Sequence, residues 1–336
     1  MSAPFSASLL KVLALALFVA AVGWAASRLD WGMVLSKLAS ASAPGMAVMA
    51  AAWLAALFVR PVRLLILLRA VSPECGRQYW ATWSASLIAM AMNSVLPMRA
   101  GDMAMAFVLR QGLGVSTARA FSAVLVDRFV DFTTVIVIFV TALALAPTVA
   151  PWTANLTVTL LTALGVLVGG LWLLVNLRLV WLALFDRLIL AAASRRRGRW
   201  SDRVHDLFAG IAVVDRPGVM VPVLALSIGL WGIIIASYWA GIGAVWPSVT
   251  FPAAAFAAGA VALSFVFPLM PGGVGVFHAA VVLALSLFGV PAEPALAFAI
   301  VSHAFQLGSV MLLAVVAVLC QRIDIRSLTA VRQTPS

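Results

Sequence analysis

Long unbroken apolar stretches dominate this chain. A helix needs about 20 apolar residues to cross the hydrocarbon core of a bilayer. Runs at about 9–26, 44–68, 120–146, 153–176, 219–243 and 295–320 approach or exceed that length. None alternates apolar and polar residues as the strands of a membrane barrel do. The remaining residues cannot coat a globule in water, because only 10% of the 336 are charged, against about 25% in a soluble domain. Soluble, secreted and nucleic-acid-binding domains are excluded, and the fold class is all-α, a polytopic transmembrane helical bundle. The net charge of +11 does not point to nucleic acid, since most basic residues sit in short loops, as cytoplasmic loop bias predicts. Two cysteines, Cys75 and Cys320, are too few for a disulfide framework.

The first run has Lys11 ahead of an apolar core and small residues near Ala25–Ser27, like a signal peptide. Because the rest of the chain stays in the membrane, it reads as an uncleaved first span. Four weaker runs form two pairs, 80–96 with 102–113 and 253–269 with 273–289, interrupted at Pro97–Gly101 and Pro268–Gly273. Such breaks suit re-entrant hairpins of half-helices sheltered by surrounding protein. Eight arginines between 178 and 218 place that segment in the cytoplasm by the positive-inside rule. Threading outward puts both termini, loop 69–79 and loop 110–119 on the same side. Sixteen basic residues then lie inside, Arg28 and Lys37 lie outside, and Arg60, Arg63, Arg99 and Arg128 lie within the apolar zone.

The sequence also repeats a plan. Pro97 precedes Gly101 by four residues, as Pro268 precedes Gly272, and Gly114 precedes Arg128 by fourteen, as Gly289 precedes His303. Between these landmarks the second copy carries four extra residues, about one helical turn. This divides the chain into a first transmembrane repeat at 1–177, a basic connector at 178–218 with room for an interfacial helix, and a second repeat with a short tail at 219–336. The charge bias opens the first hairpin to the cytoplasm and the second to the outside. The repeats are therefore expected to be inverted, an arrangement from which many secondary transporters build a midplane site.

Asn93 with Pro97, Arg99 and Gly101, then Arg128 with Asp131, then the Pro-Gly-Gly-Val-Gly-Val-Phe run at 271–277 resemble the transmembrane region of lysylphosphatidylglycerol synthases and their stand-alone, flippase-like relatives. The resemblance covers most of the chain. It implies a bacterial inner-membrane protein that moves, or helps move, a lipid between leaflets. Asp102 and Asp127 stand where that family usually has Glu, His278 where a Glu usually follows, and His303 where Arg is common. Only about 15 residues follow the last run, so the synthases' soluble aminoacyl-transferase domain is not expected, nor its activity.

Asp127, Arg128 and Asp131 lie seven to eleven residues into an apolar helix, roughly 10–17 Å deep at 1.5 Å per residue. Charged residues near a bilayer centre cost about 2.5–3.5 kcal/mol each, so these three must pair or face water. They read either as a structural network with Arg99 or Asp102, or as a polar groove for an anionic head group. Arg60 and Arg63, three apart on one face, either snorkel to the inner interface or reach phosphate oxygens. Gly272, Gly273 and Gly275 open a helix whose free N–H groups favour an anion, or form a tight tip that needs glycine. His278 and His303 are either neutral core residues or proton-sensitive sites. The Arg195–Arg199 run marks the inner face, or holds anionic lipid.

No metal and no cofactor is expected, and membrane lipid is the expected partner. Three histidines and eleven acids leave little material for catalysis, so no enzyme is expected; the one enzymatic alternative is a transferase using Asp127 and Asp131 on magnesium. The expected function is an inner-membrane lipid translocase, flippase or scramblase. The candidate head-group site comprises Asn93, Arg99, Asp102, Asp127, Arg128, Asp131, Gly272, Gly273, Gly275, His278 and His303, with Arg60 and Arg63 as further contacts. A transporter of small anions and a non-transporting assembly partner are the alternatives.

Overall fold

The structure, a computed structural model, describes residues 30–73, 78–96, 100–145, 151–191, 197–265 and 271–321. The expected first span at 9–26, and Pro97, Arg99, Pro268, Arg195 and Arg196, lie outside them. Among the described residues every element is helical and there is no strand. A short α1 (Trp31–Ala39) precedes α2 (Ala43–Val71), then α3 (Tyr79–Val95), α4 (Ala100–Leu113) and α5 (Thr117–Ala144). After α6 (Pro151–Asn176), α7 (Arg178–Ala191) and α8 (Arg197–Ile211) come α9 (Pro217–Val245), α10 (Phe251–Ser264), α11 (Val276–Ser286) and α12 (Ala292–Gln321).

Local chemistry sets the boundaries. Ser42, Ser116 and Thr250 cap α2, α5 and α10 by accepting from the backbone N–H of Gly45, Arg119 and Ala253, which satisfies donors the helix cannot. Gly114 and Gly289 adopt φ of +71° and +73° just after α4 and α11, a left-handed conformation that glycine enters without steric cost. Proline at the first turn of α2 and of α9 forfeits no helical hydrogen bond there.

Among the described residues, four helices are long and apolar enough to cross a membrane: α2, the Val158–Asn176 part of α6, α9 and α12 up to Cys320. The expected span at 120–146 is also one helix, the 28-residue α5, but it carries Asp127, Arg128 and Asp131 near its middle. Helix α6 packs on α5 and α7 and leaves large apolar side chains such as Val166 and Leu161 exposed, as expected of a surface solvated by lipid tails.

The core centres on α2 and α9, which run antiparallel. The Ser42 N–H at the start of α2 donates to Ala244 O near the end of α9 at 2.9 Å, and Arg216 at the start of α9 donates to Ala70 O near the end of α2 at 3.0 Å. Small residues let the backbones close up. A Cβ on Gly45 would lie 2.9 Å from that of Ala244, and one on Gly241 2.5 Å from Met49 Sδ.

The other helices pack around this pair in reciprocal fashion. Helix α3 lies against α4 and α10 against α11; α4 meets α5 and α11 meets α12; α3 crosses to α12 while α10 crosses to α5. At the last crossing the rings of Phe139 and Phe256 stack at 4.2 Å. The connector helix α8 docks on the start of α5, where Asp206 accepts from Arg119 Nε at 3.1 Å and Ser116 Oγ at 2.9 Å.

Candidate functional site

The buried charges meet where α2, α5 and α9 converge. Arg63 is fully buried. Its Nε donates to Asp127 Oδ1 at 2.7 Å, and its Nη1 to Asp131 Oδ1 at 2.8 Å and Ser227 Oγ at 3.1 Å. Arg60, one turn earlier on α2, donates from Nη1 to Asp131 Oδ2 at 2.9 Å. Trp231 on α9 adds its indole N–H to Asp131 Oδ1 at 3.3 Å. Three helices are thereby fastened through two carboxylates. Arg63 does not snorkel to the interface: the guanidinium lies inside the protein because two acids of α5 are there to receive it.

Arg128 is held differently. Its Nε lies 3.3 Å from Asp102 Oδ1, and its Nη1 lies 3.6 Å from Asp131 Oδ2 and 4.0 Å from Asp127 Oδ2. Buried Arg128 Nε has no acceptor in hydrogen-bond geometry among the described residues. Asp102 is oriented by Asn93, whose Nδ2 donates to it at 3.2 Å while its Oδ1 accepts from Gly101 N–H at 2.8 Å. Asn93 therefore ties the end of α3 to the start of α4. Gly101 makes this approach possible, because a Cβ there would collide with the Ala89 carbonyl and the Asn93 side chain.

A cavity of about 270 Å³ opens beside this network. Arg60, Asn93, Arg128 and Asp131 line one side, and Gly272, Gly273, Phe277, His303 and Gln306 another, with Trp53, Phe132, Trp231 and Phe265 completing an aromatic wall. Residues from both halves of the sequence thus meet at one space. His303 Nε2 hydrogen-bonds Gly272 O at 2.8 Å, and its ring stacks on Phe277 at 4.5 Å. The Gly275 N–H donates to His278 Nδ1 at 3.4 Å, so that histidine closes the first turn of α11, and neither Gly275 nor His278 lines the cavity. Gly272, Gly273 and Gly275 all have positive φ, and a Cβ on Gly273 would run into the Phe265 ring.

Two features escape a reading for charge. Trp231, Ser227, Gln306 and Tyr238 are uncharged polar groups in apolar helices, yet the first two complete the ion network and Gln306 hydrogen-bonds Tyr238. For Tyr238 and Gln306 the signal is position. Residues 175 apart in the sequence make matching contacts: Arg63 with Asp131 and Tyr238 with Gln306, Arg128 with Asp102 and His303 with Phe277.

No curated protein and no solved structure gives a significant match to the chain. The family profile described as the lysylphosphatidylglycerol synthase TM region matches residues 11–314. With that match over most of its length and several membrane-length apolar helices, the chain belongs to the lysylphosphatidylglycerol synthase transmembrane-region family, a multi-pass membrane protein of lipid-related processes.

Proposed function

We propose that this protein is a bacterial inner-membrane lipid translocase, flippase or scramblase-like, that passes a polar or anionic head group between leaflets through the cavity. The observation that carries the reading is a cavity lined by Arg60, Arg128 and Asp131 inside an apolar bundle. Charge placed there costs stability in a membrane and calls for a polar occupant.

The architecture supports movement across the midplane. The antiparallel α2 and α9, the reciprocal crossings of α3 to α12 and α10 to α5, and the matched contacts 175 residues apart all fit two inverted repeats at 1–177 and 219–336, joined by the connector at 178–218. In this reading α3–α4 and α10–α11 are broken hairpins entering from opposite faces, and both termini are cytoplasmic. The head group contacts the cavity while the acyl chains remain in lipid. No catalytic role is assigned to Asp127 or Asp131, whose oxygens are engaged by arginine.

The test is leaflet exchange of a fluorescent phospholipid in proteoliposomes, read by quenching from outside. Exchange above that of protein-free vesicles, reduced by Arg128→Ala, is expected; unchanged exchange in Arg128→Ala removes that residue from the mechanism. The small cavity also suits a free anion, and protein-dependent uptake of a labelled solute without lipid exchange favours that second reading.

A further inference from the structure

We propose that the glycine tip at Pro271–Gly275, whose Gly272 and Gly273 wall one side of the cavity, is a proton-operated gate: His278 takes the proton and His303 is the neighbouring latch. The gate rests on the translocase reading for what passes through the cavity, but not for its own opening.

His278 first acts within its own helix. Gly275 is the N-cap of α11 and His278 the third residue in, the place where a capping box puts the Glu or Gln that accepts from the N-cap N–H. Here the acceptor is the imidazole Nδ1, 3.4 Å from Gly275 N. An imidazole loses that acceptor when it takes a second proton, because both ring nitrogens then donate. Two N–H groups would face each other. The imidazolium would also sit in the first turn of a helix, where the dipole favours negative charge. The closed tip therefore has no place for the second proton.

The cap helps to hold a segment built to move. Gly272, Gly273 and Gly275 all have positive φ, a path that glycine follows without steric cost. Side-chain hydrogen bonds fix it at both ends, from Gly275 N–H to His278 and between His303 Nε2 and Gly272 O at 2.8 Å. The two imidazole rings lie 5.2 Å apart, edge to face, with Phe277 stacked on His303. A charge on His278 thus acts on both fastenings. Gly272 lies between α3 and α12, with Ser94 O and Leu307 within 4 Å of where its Cβ would stand. A tip released from its histidines parts from α3 and opens the cavity.

The surroundings offer the proton no counter-charge. Glu293 is the lone formal charge between Pro217 and Gln321. Of the helices packed on α11, α10 carries no titratable residue, and α12 carries His303, Glu293 in its first turn and Cys320 near its end. Glu293 precedes His303 by ten residues, about 15 Å along the helix. Helix α3, which meets the tip, adds only Tyr79 at its start. Across the cavity stand Arg60 and Arg128, with Asp131 already paired to Arg60 and Arg63. The closed tip therefore binds a proton on His278 less well than an arrangement in which that ring reaches water. A ligand shifts an equilibrium toward the state that binds it better, so acid opens the tip and a return to neutral pH closes it.

The test uses the full-length protein in nanodiscs, with Cys75→Ser and Cys320→Ser and spin labels on Val95→Cys and Val274→Cys, exposed positions on α3 and the tip. Pulsed electron paramagnetic resonance reads their separation in samples frozen at about pH 7.5 and about pH 5, either side of the ordinary histidine value near 6.5. A single short distance is expected at the higher pH, and a longer-distance population at the lower, reversed on neutralisation. His278→Gln keeps an acceptor that does not titrate and should hold the short distance at both. An unchanged distribution in the protein with both histidines, or an acid shift that persists in His278→Gln, overturns the proposal. If His278→Gln fails to fold, His278→Glu, the other capping-box residue, is read in its place. Lipid exchange in proteoliposomes at the same two pH values separates the gate from the translocase reading. A pH-dependent distance without exchange upholds the gate and sinks the translocase; exchange with an unchanged distance does the reverse.

Discussion

Replacing Arg63 by Met tests whether the ion network organises the bundle. Arg63 is completely buried and holds Asp127 at 2.7 Å and Asp131 at 2.8 Å. In Arg63→Met, Asp131 keeps Arg60 at 2.9 Å and Trp231 at 3.3 Å. Asp127, only 2% exposed, is left with Arg128 Nη1 at 4.0 Å. Removing one partner of a buried pair costs about 3–5 kcal/mol, because the other charge is stranded, whereas replacing both by apolar groups is often close to neutral. The single variant should therefore lose about 3–5 kcal/mol, and Arg63→Met with Asp127→Leu should return to within about 1–2 kcal/mol of wild type. Equilibrium unfolding in micelles by denaturing detergent measures both. A single variant within about 1 kcal/mol of wild type, or a double variant no better than the single, refutes the claim that Asp127 is stabilised chiefly by Arg63.

Two further outcomes follow from close contacts. Gly101→Ala pushes a methyl into the Ala89 carbonyl and the Asn93 side chain, so it should cost about 1–3 kcal/mol as overpacking does; wild-type stability in the same unfolding assay counts against so close an approach of α3 and α4. His303→Leu deletes the 2.8 Å bond to Gly272 O, which leaves an unmet carbonyl worth about 1–3 kcal/mol. Amide hydrogen exchange over Pro271–Phe277 should then accelerate, and unchanged exchange there would show that the histidine does not hold the turn.

The helices are legible in the sequence because apolar length and breaker residues act locally. The runs at 44–68, 153–176, 219–243 and 295–320 fall within α2, α6, α9 and α12, and the weaker runs begin and end close to α3, α4, α10 and α11. Helix α1 escapes such a reading, since nine residues with an Asp30 cap leave no long periodic signal. Asp127, Arg128 and Asp131 stand out because charge in an apolar helix demands compensation. Their main partners do not. Arg60 and Arg63 sit about two thirds of the way along the 29-residue α2, whereas the apolar run that holds them ends only a few residues further on, which suggests the interface. Depth is a tertiary property: α2 runs on to Val71, and it is the acids on α5 that draw the guanidinium groups inward. Ser227, Trp231 and Gln306 carry no charge and so no penalty that marks them; only their placement across from the ion network shows their part.

Whether the cavity holds a lipid head group is tested most directly by native mass spectrometry of the protein released from mild detergent. The account predicts a co-purifying phospholipid on the wild-type chain that is lost, or strongly depleted, in a folded Arg60→Gln/Arg128→Gln double variant. Retention of the same lipid at the same occupancy in both proteins would contradict it.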